Sequence, residues 1–299
     1  MATSPLKGLL IRTGAVRTPD VGYLLAGDPK REEDEEAHAV FFKWSAGKFT
    51  PGSMNFSADS CCVVTDPAPA LVCVGPNGHY SITAASGKPV GNIAENSQPK
   101  PQGPRYGAIS SVSTAAGKAF AVGLGGMVYR LDNFNGWTRI DDGLPDTFDA
   151  KALHGFSGED IYAVGSRGEI WHYDGKQWTK CDSPTNVNLT CVCCAPDGRV
   201  YAAGHDGLIL SGRASTWKVI EHGATQKKPF WDLEWFAGEI YVSTLSALYR
   251  LQSDKLARVQ FGEEVVKTCN QLSATTEVLW SVGEKDVLSF DGKSWTRVV

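Results

Sequence analysis

Short apolar runs closed by glycine punctuate this chain from end to end. One copy reads Ile161-Tyr162-Ala163-Val164-Gly165, then Ser166-Arg167-Gly168, then Ile170-Trp171-His172-Tyr173-Asp174-Gly175, with Trp178 shortly after. The next reads Val200-Tyr201-Ala202-Ala203-Gly204, His205-Asp206-Gly207, Leu208-Ile209-Leu210, and then Trp217. The equivalent punctuating positions are Gly27, Gly75, Gly123, Gly165, Gly204, Thr244 and Gly283, separated by 48, 48, 42, 39, 40 and 39 residues. Within each copy, apolar and polar positions alternate as in strands with a buried face. The G-x-x-G step predicts a tight turn, where positive φ costs glycine little. An upstream run such as Leu189–Cys194 supplies an inner strand, and a downstream run such as 217–220 an outer one. Four short strands cannot bury both faces alone, so such units must stack on neighbours. The pattern therefore predicts an all-β chain forming a single seven-bladed β-propeller of four-stranded antiparallel blades, one domain over 1–299. The blades fall near 8–50, 56–96, 106–140, 148–181, 188–221, 229–260 and 265–299. Leu9-Leu10-Ile11 is expected as the inner strand of the first blade, with closure by face packing against the seventh. The alternative is that the first residues add an edge strand to the seventh blade.

Hydrophobic residues make up 42% of the chain and charged residues 21%, the makeup of a soluble globular protein. No apolar stretch is long enough to span a membrane, and residues 1–7 lack the apolar core of a signal peptide, so a cytoplasmic location is expected. Cysteines stand at 61, 62, 73, 181, 191, 193, 194 and 269 without the ligand spacing of a zinc site. They are expected to be small buried residues where blades crowd toward the axis. The net charge is −4, and segment 28–36, with six acids and two bases, accounts for all of it. The remainder balances, so no broad basic surface is implied and nucleic acid is not an expected partner.

Residues Ile161 to Trp178, and more loosely Val278 to Trp295, carry the pattern V-Y-A-V-G-x-x-G-x-I-x-x-Y-D-G-x-x-W. In this the chain resembles a bacterial family of propeller repeats, best over 106–221 and 265–299. The resemblance implies the fold and no particular activity. The sialidase-type, WD and kelch repeat patterns are not matched.

No G-x-S-x-G elbow, P-loop or dinucleotide glycine pattern follows a strand, and the histidines at 38, 79, 154, 172, 205 and 222 are scattered. No catalytic residue, metal or cofactor is therefore assigned. His205-Asp206-Gly207 aligns with Ser166-Arg167-Gly168 and is read as a turn. His154, on an inner strand, is read as a hydrogen-bonded core histidine. In a propeller, loops that enter inner strands and loops that join second to third strands emerge on one face. That face is expected to carry 28–38, the Pro-rich 96–105, 141–146 and 223–229, and long loops on a rigid scaffold are where binding concentrates. The expected contact residues are Glu32, Glu33, Asp34, Glu35 and Glu36, attracting a basic partner, with Arg105, Tyr106, Phe148, Lys228, Trp231 and Asp232 around them.

The leading expectation is a non-catalytic, protein-binding propeller, in the form of an immunity protein that caps a basic toxin with its long-loop face. One rival is an enzyme of lyase, lactonase or hydrolase type at the axial channel, drawing on Asp59, Arg105, Asp149, Lys151, Asp232, Glu234, Glu264 and Lys267. Another is a scaffold or assembly factor.

Overall fold

A computed structural model of the chain describes residues 6–98, 108–134, 136–223 and 227–299. Among these, regular structure is almost entirely β-strand, with one short helix, Pro29–Glu33, and three 3-10 turns. Five sheets hold four strands each in simple up-and-down order, and a sixth holds nine. The nine-stranded sheet is two further four-stranded meanders joined by a single parallel bridge, Ala115 to Gly155, with Ser97–Gln98 laid parallel to the outer strand Gly136–Arg139. In chain order the inner strands of the meanders are Leu10–Thr18, Ser60–Val64, Ile109–Ala115, Ala150–Ser157, Leu189–Cys194, Asp232–Phe236 and Gln271–Ala274.

The chain divides into two compact units, one of 1–60, 222–224 and 231–299, the other of 61–221 and 225–230. In the second unit, the second strand of each meander is buried on both faces. Along Lys118–Gly123, Ala119 and Ala121 pack with Val72, Ile82 and Trp137, while Phe120 and Val122 pack with Phe148, Leu153 and Ile161. Along Asp160–Gly165 the sides alternate again, Ile161 and Ala163 facing one cluster and Tyr162 and Val164 the next, with Leu189, Val200 and Leu210. Period-two alternation between two apolar clusters explains why these strands read as unbroken hydrophobic runs.

In the first unit, the first meander packs face-on against the seventh. Trp280 is fully buried, lies edge-on to Trp44 at 5.5 Å, and rests on Gly22, where a Cβ would overlap the indole. Val16 N donates to Ser273 Oγ at 3.0 Å and Ile11 N to Glu284 O at 2.9 Å. The start of the chain thus follows the face-packing expectation, with Leu10–Thr18 as the first meander's own inner strand.

The two glycines of the G-x-x-G step have separate causes. Positive φ falls on the second, at Gly126, Gly168 and Gly207. The first is extended, and its need is space: a Cβ on Gly123, Gly165, Gly204 or Gly283 would overlap the carbonyl of Ala108, Asp149, Asn188 or Thr268. The sixth meander lacks the motif and closes the step with a threonine, Thr244 Oγ1 accepting from Ala247 N at 3.0 Å.

Candidate functional site

The acidic segment is a folded element. Asp28 caps the helix Pro29–Glu33, its Oδ1 accepting from Lys30 N at 3.0 Å, and Pro29 occupies the first helical turn, where a missing N–H costs nothing. The buried His38 closes the loop behind it: Asp28 N donates to Nε2 at 2.8 Å, so Nδ1 carries the hydrogen and donates to Glu36 O at 2.7 Å. Glu35, at φ 57, turns the chain out of the helix.

Two of the acids are neutralised within the unit. Arg12, from the inner strand Leu10–Thr18, reaches Glu32 at 2.5 Å and also holds Asp59. Arg31 pairs with Glu36 at 2.7 Å. Glu33, Asp34 and Glu35 stand exposed with no partner among the described residues, so the run presents three unpaired carboxylates on a fixed support.

Elsewhere in this unit, Trp231 is exposed. Asp232 has a structural duty. Its Oδ2 accepts from Leu272 N and its Oδ1 from Leu233 N, both at 2.9 Å, tying the sixth meander to the seventh. Burial pushes its carboxyl up to about 7 against the lowering effect of those two N–H groups. Burial, with Asp232 nearby, also raises Glu234. Arg297 binds Glu264 at 2.7 Å and Asp286 at 2.9 Å, and donates to Val265 O at 2.8 Å. Asp286 in turn accepts from Lys267 N at 3.0 Å and Thr268 N at 3.2 Å. Burial alone would raise the Asp286 carboxyl, but Arg297 and those N–H groups outweigh it and hold it below the usual range. A groove of about 970 Å³ beside Pro29 is lined mainly by apolar side chains, among them Leu9, Phe49 and Val298.

In the second unit, Lys228 is exposed. Phe148 corrects the sequence reading: it is fully buried, 5.8 Å from the Trp171 ring, and belongs to the core, because it packs with Phe120, Val122 and Leu153. Arg105 and Tyr106 lie outside the described residues. His154 Nδ1 accepts from Cys194 N at 2.9 Å, and burial pushes its pKa down to about 4, which keeps the ring neutral. All eight cysteines are buried thiols. Among the described residues, no group of three or more His, Cys, Asp or Glu is gathered as a metal ion would require. Of the residues considered for axial chemistry, Asp59 and Glu264 are held by arginines and Asp232 by backbone N–H groups.

Sequence reasoning missed Arg12, His38 and Arg297. Asp28-Pro29 was the overlooked mark of the helix start, since Asp favours the cap and Pro the first helical position. The arginines had no local signal, because their carboxylate partners lie at least 11 residues away.

No protein-family model matches the chain. Along 300 aligned residues, covering 96% of each chain, it is 37% identical to the immune protein Tsi7 of Pseudomonas aeruginosa. Its structure is similar to the WD40 β-propeller domain of Doa1, with a TM-score of 0.67, 10% identity and coverage of 97% of this chain and 92% of the other. It is also similar to virginiamycin B lyase from Staphylococcus aureus, with a TM-score of 0.72, 10% identity and coverage of 96% and 95%. At such identity the two structures speak for the β-propeller fold alone.

Proposed function

Since the chain belongs to the family of the immune protein Tsi7, we propose that it is itself an immunity protein, a non-catalytic binder that neutralises a toxin by covering it. The observation that carries this reading is 37% identity sustained over 96% of both chains. In the same reading the seven meanders are the blades of one propeller domain, closed where the first meets the seventh. The protein acts in the cytoplasm, and the toxin meets the end where the long loops gather.

The partner's charge follows from the acidic helix. Three unpaired carboxylates on a support capped by Asp28 and braced by Arg12 suit a basic surface, such as the cleft of a nuclease. Glu33, Asp34 and Glu35 make the charged contacts, while Glu32 and Glu36 mainly hold the helix in place. Lys228, Trp231, Arg105 and Tyr106 remain proposed contacts, and Phe148 and Asp232 leave the set.

The test is binding at rising salt, with a catalytically inactivated toxin that this protein captures from its own organism. Affinity is expected to fall with ionic strength, and Glu33→Gln, Asp34→Asn and Glu35→Gln combined should flatten that dependence. Affinity insensitive to salt, in wild type and triple variant alike, removes the basic partner from the account.

A further inference from the structure

Three large apolar side chains in the unit that carries the acidic helix stand in solvent. Trp231, Leu245 and Val265 are 41%, 60% and 75% exposed. They are distant in sequence, yet backbone bonds gather them at one end of the sixth meander. Trp231 N donates to Ser243 O at 3.0 Å, two residues before Leu245, and Cys269 N donates to Leu245 O at 3.2 Å, four residues after Val265. Each sits on a fixed backbone. Arg297 clamps the Val265 carbonyl and the Glu264 carboxylate, Asp286 holds the N–H groups of Lys267 and Thr268, and the Thr244 hydroxyl closes the turn that presents Leu245. Exposed apolar groups on an ordered backbone lose little further entropy when covered. An indole and two aliphatic side chains exposed at one end of a meander, among charged residues, have the makeup of an interface centre.

The rim is continuous with the acidic helix. Lys285 N donates to Thr268 Oγ1 at 3.4 Å, and Glu284 O accepts from Ile11 N at 2.9 Å. Arg12, the next residue, grips Glu32. Along this path the exposed Glu263, Glu284, Glu33, Asp34 and Glu35 outnumber Lys7, Lys30, Lys267 and Lys285 by one. An occupant of the patch therefore meets negative charge at its border.

We propose that Trp231, Leu245 and Val265 form the apolar anchor on which the neutralised toxin seats. The toxin presents there an aromatic or aliphatic side chain flanked by Lys or Arg. This rests on the immunity reading and divides the labour within it: the acidic helix speeds encounter and orients the toxin, and the patch sets how long the complex lasts.

Association and dissociation rates measured with the same inactivated toxin test the division. Trp231→Ala, and Leu245→Ser with Val265→Ser, should each dissociate about tenfold faster or more, with association rate and salt dependence unchanged. The triple acid variant should show the reverse, slower association with little change in dissociation. Unchanged dissociation in both apolar variants, each melting and giving circular dichroism as wild type does, overturns the anchor and leaves the immunity reading standing. Failure of wild type to bind the toxin overturns both. A dimer of the isolated protein in sedimentation, abolished by Val265→Ser, assigns the patch to a second copy and also overturns the proposal.

Discussion

At Gly204 and Gly207 glycine is needed for two different reasons, and substitution separates them. A Cβ on Gly204 would overlap the Asn188 carbonyl, so backbone must move. Gly204→Ala is expected to cost about 2 kcal/mol or more in chemical denaturation. Asp206, between the two glycines at φ 56, already holds the left-handed region, and Asp206→Gly should stay within about 0.5 kcal/mol of wild type. His154 gives a pH signature. Its pKa lies at about 4 in the fold against an ordinary 6.5, so between these values the unfolded chain binds more protons. Its contribution is complete above pH 6.5 and is lost as pH falls toward 4. The stability of wild type relative to His154→Asn should therefore drop by roughly 2 kcal/mol between pH 7 and pH 4. Sequence located the turn and the core histidine correctly. It misplaced Phe148, because an aromatic at a strand entry has the same local signature whether it faces solvent or a neighbouring sheet.

At the scale of elements, the contact of first and seventh meanders rests on Trp280 over Gly22. Gly22→Ala should destabilise the protein by about 1–3 kcal/mol in urea melts, since the indole has no free space to retreat into. The strands were legible because two buried faces leave long apolar runs bounded by glycine. The helix Pro29–Glu33 was read only as an acidic insertion, for it buries no residue and so leaves no apolar period to find. Its order comes from Asp28, His38 and Arg12. Asp28→Ala should remove about 1 kcal/mol of local stability, read as faster amide exchange at Lys30 and in the following turn.

For the whole molecule, the repeat made the architecture readable, because stacking of identical units imposes one spacing on the sequence. The function was less so. A binding surface consists of whatever residues the loops bring together, and neither Arg297 under Val265 nor Arg12 under Glu32 is adjacent in the chain. The acids were visible as a run, but which of them are unpaired depended on arginines far away. A cap and an enzyme differ most plainly in stoichiometry. Toxin activity should be titrated with increasing amounts of this protein, at a toxin concentration far above the dissociation constant. Inhibition that rises linearly and is complete at one molecule per toxin is the expected result. Complete loss of toxin activity at a small fraction of that ratio, deepening with time, would mean that the protein turns over, and would contradict neutralisation by binding.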